Sequence, residues 1–104
     1  MKELQTKISK ERAEFMKRYE GMNPLDVYKY WYVIGFYESY YEMLMTEFYE
    51  DDDIYKWLCK FEKPLSFLYD EWLKSDRAFN HDWDEMWDFI EVIYTTRKGE
   101  DNEN

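Results

Sequence analysis

Residues 23–49 read NPLDVYKYWYVIGFYESYYEMLMTEFY and carry the strongest structural signals in the chain. Asn23 followed by Pro24 and Asp26 is a typical helix start: a side-chain cap, a proline in the first turn and an acid near the positive end of the helix dipole. Large apolar residues then recur every three or four positions, which is the period of one helical face. They are Tyr30, Val33, Ile34, Tyr37, Tyr41, Leu44 and Phe48. We therefore predict a long central helix over residues 24–49.

The first half of this segment is also compatible with a strand, because residues 27–37 are rich in β-branched and aromatic side chains. We favour the helix, since the start signal precedes it and the helical spacing continues beyond Glu38 without a turn. Gly35 is the position at which the helix could kink. Before Glu38 the segment is apolar on nearly every side, so it needs cover on every side.

Residues 2–20 form an amphipathic helix by the same criterion, with a narrow apolar stripe and a stop signal at Gly21. The stripe consists of Leu4, Ile8, Phe15 and Tyr19. The acids at 51–53 end one helix and cap the next, a short one that extends to Phe61. Pro64 begins another helix. Its inward residues are Leu65, Leu68, Tyr69 and Trp72.

The last predicted helix covers residues 82–96 and has an apolar and an acidic face. The apolar face consists of Trp83, Met86, Trp87, Ile90, Ile93 and Tyr94. Residues 97–99 form a C-terminal stop, and the acidic tail at 100–104 is expected to fray. The predicted fold class is all-α: a single helical domain over residues 1–99, built as a compact bundle of four or five helices around the central one.

Composition limits the function classes. The 104 residues include 24 acidic and 14 basic ones, a net charge of −10, while 45% are hydrophobic and 22% aromatic. So many apolar residues predict a folded domain in spite of the charge. The single cysteine, Cys59, excludes an internal disulfide and suits a reducing compartment. The N-terminus lacks a signal-peptide pattern and no apolar run could span a bilayer, so we expect a cytoplasmic protein.

The acids are concentrated in two blocks without basic residues: seven carboxylates in residues 38–53 and five in residues 78–96. Carboxylates four residues apart on a helix repel each other, so such rows favour a role in binding. The candidate partner-binding acids are Asp84, Glu85, Asp88 and Glu91 on the last helix and Glu38 and Glu42 on the central one. Carboxylates at this spacing can imitate nucleic-acid phosphates. The alternative is a solvated face that only keeps the protein soluble.

The aromatic residues exceed what one helical stripe can bury. Tyr28, Trp31, Tyr32, Tyr40 and Tyr49 lie off the main stripe of the central helix. Tyrosine and tryptophan beside acids are typical of protein-binding surfaces, so we include Tyr28 and Tyr32 among the candidate partner-binding residues. The alternative is that a small helical core simply uses large side chains.

Few residue patterns in the chain suit catalysis or cofactor binding. His81 is the only histidine, which excludes a multi-histidine zinc or di-iron site within one chain, and we expect it in the loop before the last helix. The acids at 51–53 lack the glycine and the terminal glutamate of a calcium loop. A nucleophilic Cys59 would need a base, so burial as a small apolar residue is the simpler interpretation. We expect no enzyme, no cofactor and no metal.

We predict an acidic protein-binding module, an inhibitor or decoy that occupies the basic nucleic-acid-binding surface of a partner protein. In composition alone, the chain resembles the small decoy proteins of phages and mobile elements, such as antirestriction proteins and anti-CRISPRs. The alternative is a non-catalytic interaction or assembly protein, such as a homodimer, that uses exposed aromatics while the charge serves solubility. Neither function involves direct contact with nucleic acid or a membrane, because the surplus charge is negative.

Overall fold

Helices account for all regular secondary structure in the described part of the chain. The computed structural model describes the backbone at residues 2–47 and 52–103 and the side chains at 3–47 and 52–97. Over these residues the chain forms six helices and no strand. They are α1 (Lys2–Lys17), α2 (Pro24–Tyr28), α3 (Trp31–Thr46), α4 (Asp53–Leu58), α5 (Pro64–Lys74) and α6 (Trp83–Glu103). The all-α prediction is confirmed, and residues 27–37 are helical apart from a two-residue break.

This break divides the predicted central helix into α2 and α3, which raises the number of helices above the expected four or five. The backbone bonds tighten there to a spacing of three residues, as the N–H of Tyr30 donates to the carbonyl of Val27 at 2.9 Å. Tyr30 has φ −110° and ψ 12°, outside the α-helical region. Its ring packs against Tyr19, in the turn after α1, at a centroid distance of 5.5 Å, a contact that favours the break. Gly35, the expected kink, lies inside the continuous α3.

Local capping signals end and begin the helices as predicted. The side-chain oxygen of Asn23 accepts the N–H of Asp26 at 3.0 Å and caps α2. Asp52 caps α4 by accepting the N–H of Ile54 at 2.7 Å. Gly21 has a φ of 82°, a left-handed conformation that glycine adopts at little cost, and it closes the turn after α1.

Five of the six described helices contribute to one hydrophobic core, while α2 buries none of its residues. The stripe predicted for residues 2–20 is confirmed: Leu4, Ile8 and Phe15 are buried on α1, and Tyr19, in the turn after α1, is half-buried beside them. Phe15 stacks on Tyr37 of α3 with ring centroids 3.8 Å apart. The parts of the core from α4 onward are Tyr55, Leu58, Cys59, Leu65, Leu68, Met86, Phe89, Ile90 and Ile93.

The buried face of α3 is rotated from the predicted one by roughly 60° around the helix axis. Tyr37 and Leu44 are buried as expected, but Phe36, Tyr40 and Met43 complete the face. Four residues of the predicted face are only partly buried or are exposed: Tyr30, Val33, Ile34 and Tyr41. The cause is that aromatic side chains cover the Phe36 side of α3. The Phe36 ring lies 5.2–5.4 Å from three further rings. These belong to Tyr69, Trp72 and Phe79. The predictions for Phe48 and Tyr49 lie outside the described residues.

The last helix begins where the sequence predicts and extends further. Its buried side consists of Met86, Phe89, Ile90 and Ile93, so Phe89 joins the predicted apolar face. The helix continues to Glu103 because Gly99 keeps a helical backbone and does not adopt the left-handed conformation of a stop. Residues 100–103, expected to fray, are part of α6.

A buried carboxylate of α1 caps the N-terminus of α5. Glu11 has only 4% of its surface exposed, and its two oxygens accept the N–H groups of Leu65 and Ser66, each at 2.7 Å. First-turn N–H groups have no carbonyl partner within their own helix. Lys63, the residue before α5, supplies no side-chain cap. Glu11 therefore provides the cap from a distant part of the chain, with its charge at the positive end of the α5 dipole.

Lys7, one turn before Glu11, binds the end of α4 at the same corner. Its Nζ donates to the carbonyl oxygens of Cys59 and Phe61, the latter at 3.2 Å. A cation thus lies at the negative end of α4. The spacing of four residues places Lys7 and Glu11 on one face of α1. We name these two side chains and their four backbone partners the corner clamp.

We predict that Glu11→Ala lowers the free energy of unfolding by about 2–4 kcal/mol, because two backbone N–H groups lose a charged acceptor. Glu11→Gln should cost less, since its amide oxygen can still accept one of the two bonds. Urea unfolding followed by circular dichroism measures both, and Glu14→Ala on the exposed side of α1 is the control. Equal stability of Glu11→Ala and Glu14→Ala would contradict the corner clamp.

Candidate functional site

The acids of α6 lie on its solvent side. Asp84, Asp88 and Glu91 follow each other at intervals of four and three residues and are exposed, opposite the buried face. Glu85 is exposed on the flank of these three. Asp82 precedes the helix, and its side chain accepts the N–H of Asp84 at 3.0 Å. The four predicted acids of the last helix thus share one side of it, and we name Asp84, Glu85, Asp88 and Glu91 the acidic row.

Among the residues whose side chains are described, one basic residue forms an ion pair with the acidic row. Arg77, in the loop after α5, pairs with Asp88 at 3.0 Å, and its guanidinium lies 5.7 Å from the centroid of the Phe89 ring. Both side chains are solvent-exposed, Arg77 at 39% and Asp88 at 58%, so the pair contributes little to stability. Within the described part of the chain, the other members of the row form no ion pair: Asp84, Glu85 and Glu91.

The two candidate acids of α3 have different surroundings. Glu38 pairs with Arg12 of α1 at 2.7 Å, and the same guanidinium lies 5.0 Å from the centroid of the Tyr41 ring. Glu38 therefore links α1 to α3. It has a cation beside it in the fold, although the acidic block at residues 38–53 contains no basic residue. Glu42 is exposed and forms no ion pair with any described residue.

Hydrogen bonds join the two acidic segments. The Ser39 hydroxyl and His81 Nδ1 lie 2.9 Å apart, which ties the loop before α6 to α3. A second link is the Trp87 indole N–H, which donates to Glu47 at 2.6 Å. Glu42 lies three residues after Ser39, about 60° around the helix. The exposed acid of α3 and the start of the acidic row therefore lie on adjoining parts of the surface.

A cleft of about 320 Å³ lies between α6 and the loop after α5. Its aromatic lining consists of Tyr40, Trp72, Phe79 and Phe89, and its charged lining of Arg77, Glu85 and Asp88. The indole nitrogen of Trp72 is buried without a hydrogen-bond partner among the described residues. The volume is near the lower limit for ligand sites, and Arg77 and Asp88 already neutralise each other. We therefore assign no ligand to this cleft.

The predicted binding tyrosines are exposed. Tyr28 has 71% and Tyr32 has 47% of its surface exposed, and Trp31 beside them has 57%. Tyr40, which the sequence groups with these residues, is instead buried. The reason is the rotation of α3, which stacks the Tyr40 ring on Phe36 with centroids 4.4 Å apart. The exposed aromatics therefore concentrate at α2 and the first turn of α3.

Cys59 has the environment of a core residue. It is buried, and desolvation raises the pKa of its thiol, with Glu3 adding to the rise and Lys7 opposing it. A raised pKa keeps a thiol protonated and unreactive at neutral pH. Across the residues whose side chains are described, no group of three His, Cys, Asp or Glu residues is placed to hold a metal ion.

The described helices also include none that is both long and apolar enough to cross a membrane.

Comparison with known proteins identifies no relative. No protein-family model matches the chain, no curated protein matches it and no solved structure matches it.

The sequence pattern does not predict two basic residues that form ion pairs with candidate site acids. Arg77 lies one residue outside the second acidic block, so a wider window around that block would have included it. Arg12 is 26 residues from Glu38 and no local signal connects them, because only the docking of α1 on α3 brings them together. The acidic blocks of the sequence therefore overstate the unpaired charge of the folded surface.

We predict that the protein loses stability above about pH 10, the ordinary pKa of tyrosine. Burial raises the pKa of Tyr40 well above that value, with Arg77 opposing the rise, so the folded hydroxyl keeps its proton. The unfolded chain ionises near pH 10, and alkaline pH therefore favours the unfolded state. The loss should approach about 1.4 kcal/mol per pH unit for each such tyrosine.

Urea unfolding between about pH 8 and about pH 11 measures this loss. Tyr40→Phe should flatten the pH profile relative to the wild type. Tyr37, whose pKa burial also raises, should keep part of the slope. If the profile of Tyr40→Phe is as steep as that of the wild type, Tyr40 is not its source.

Proposed function

We propose that the protein binds a basic protein surface through its acidic row, as a non-catalytic inhibitor or decoy. The partner is a nucleic-acid-binding protein whose groove the row occupies, as in antirestriction or anti-CRISPR proteins. The observation that supports this proposal most directly is the exposure of all four acids of the row on one side of α6. The Cβ atoms of acids four residues apart on a helix are about 5–6 Å apart, close to the spacing of charges along a nucleic-acid strand, whose phosphates advance about 3.4 Å per residue along the axis and are further apart in space.

The net charge of the molecule also favours a basic partner. A net charge of −10 steers basic partners toward the protein and repels nucleic acid and anionic membranes. Asp84 and Glu91 are open to an incoming cation at once. Asp88 first has to exchange Arg77 for the partner's basic side chain, which costs little because both side chains of the pair are solvent-exposed. Glu42 can extend the contact across the Ser39–His81 junction.

The lone buried thiol of Cys59 suits a reducing compartment, and we place the proposed activity in the cytoplasm.

We predict that Asp84→Lys combined with Glu91→Lys lowers capture of the partner by at least about tenfold, because two attractive contacts become repulsive. The Arg77–Asp88 pair stays intact in this variant. The control is Glu14→Lys with Glu62→Lys, which makes the same change in net charge at exposed acids elsewhere. Each immobilised variant is exposed to an extract of the native host at low salt, and circular dichroism confirms that the helices are retained.

Bound proteins are then eluted separately with salt, duplex DNA and RNA. The proposal requires that salt releases the partner and that at least one nucleic acid displaces it, because the row and the nucleic acid compete for one groove. Equal capture by the row variant and its control would mean that net charge alone is responsible. A partner that neither nucleic acid displaces would contradict the decoy mechanism.

A further inference from the structure

A continuous stretch of the chain leaves large apolar side chains in solvent. Six of the eight exposed large hydrophobic residues in the described part of the chain lie between residues 22 and 32, with 40–79% of their surface exposed. They are Met22, Leu25, Tyr28, Tyr30, Trp31 and Tyr32. We name these six residues the aromatic patch. The other two, Leu73 and Val92, stand singly on α5 and α6.

Two of the six patch residues, Leu25 and Tyr28, lie on a helix that is well formed but uncovered. α2 has a proline in its first turn and a side-chain cap from Asn23, yet it buries none of its five residues. Helices this short have little stability of their own, and most helical stability in proteins comes from packing an apolar face. The apolar side of α2 lacks that packing in the free monomer. A surface that covers Leu25 and Tyr28 would supply it.

The size of the patch matches one side of a protein interface. Its exposed fractions correspond to roughly 700 Å² of accessible surface. A standard interface buries about 800 Å² on each partner, so the six residues together expose an area of that order. Tyrosine and tryptophan, the residue types enriched in binding hot spots, form most of it. Tyr28 and Trp31 are its most exposed aromatics and the expected anchors.

Charge indicates which partner fits. Only Asp26 and Lys29 are charged between residues 22 and 32, and their side chains lie 3.8 Å apart. The segment that carries the patch is therefore neutral in a molecule of net charge −10. A basic partner is drawn to the acidic row instead, whereas a neutral apolar surface of similar area matches the patch. A second copy of the chain presents such a surface by twofold symmetry.

We propose that the aromatic patch is a homodimer interface in which α2 and the first turn of α3 of two copies pack against each other. The two copies carry like net charge, so dimerisation should strengthen as salt screens their repulsion. The acidic row has the opposite salt dependence. The two surfaces can therefore be tested separately, and the dimer does not rest on the decoy function.

Analytical ultracentrifugation of the full chain tests this proposal from roughly 1 µM to about 500 µM protein, at about 0.05 M and about 0.5 M salt. We expect a monomer–dimer equilibrium whose dissociation constant is lower in the higher salt. Tyr28→Ala and Trp31→Ala should each raise that constant by about tenfold or more. At micromolar concentration, their melting temperatures should stay close to that of the wild type, since both side chains are exposed in the monomer.

Leu73→Ala is the matched control, because this side chain is 56% exposed but lies outside the patch. Its dissociation constant should equal that of the wild type. A monomer at every concentration and salt would overturn the proposal, even if the patch bound some other protein. A dimer that Tyr28→Ala and Trp31→Ala leave unchanged, or that Leu73→Ala weakens equally, would overturn it as well.

Discussion

The corner clamp of α1 is the contact on which the arrangement of the other helices depends. A carboxylate removed from water is costly unless hydrogen bonds replace its hydration. Glu11 accepts two such bonds from N–H groups that would otherwise lack partners. The same two bonds therefore compensate the buried carboxylate of α1 and cap the N-terminus of α5. Lys7 does the same for carbonyls at the end of α4. Because the two side chains lie one turn apart, neither sliding nor rotation of α1 preserves both sets of bonds.

The corner clamp influences the position of the acidic row through α5 and the loop that follows it. Once the N-terminus of α5 is held, Trp72 near its other end contacts Phe36 of α3, and the following loop passes over α3. His81 ends this loop at Ser39 and sets where α6 begins. The acidic row then faces solvent because the opposite side of α6 packs into the core. A contact between distant residues thus determines where the charge is presented.

The acidic row and the aromatic patch differ in chemistry and in the salt dependence that we expect of their binding. The row lies on a long helix whose other side is buried, so its substitutions should affect binding more than folding. The patch lies around a short helix that buries nothing, and its aromatics carry no net charge. Together they are the two separate contact surfaces that we propose: one for a basic partner and one for a second copy of the chain.

The sequence predicts those features that depend on neighbouring residues. The cap at Asn23, the left-handed Gly21 and the α1 stripe follow from local spacing, and so does the exposure of the acidic row. The sequence does not predict the features that depend on tertiary contacts. The rotated face of α3, with Tyr40 in the core, depends on rings that α5 and its loop bring to Phe36. Helical spacing cannot show which side of a nearly all-apolar helix will be covered.

The same limit applies to charge. The sequence separates Arg12 from Glu38 by 26 residues, and the fold places them in contact. Glu11 has the composition of a surface residue on a mixed-charge helix, and no local pattern indicates that it is buried. Glu11 acts as a cap because the fold places it beside the N-terminus of α5, which has no side-chain cap of its own.

Amide hydrogen exchange at Leu65 and Ser66 tests the central claim most directly. First-turn amides capped by an exposed side chain exchange readily, and Asp84, capped by exposed Asp82, provides that reference. If the buried Glu11 carboxylate holds α5 in place, the Leu65 and Ser66 amides should exchange only as the whole domain unfolds. Exchange of these two amides at the rate of the Asp84 amide, in a protein whose core remains protected, would contradict the account.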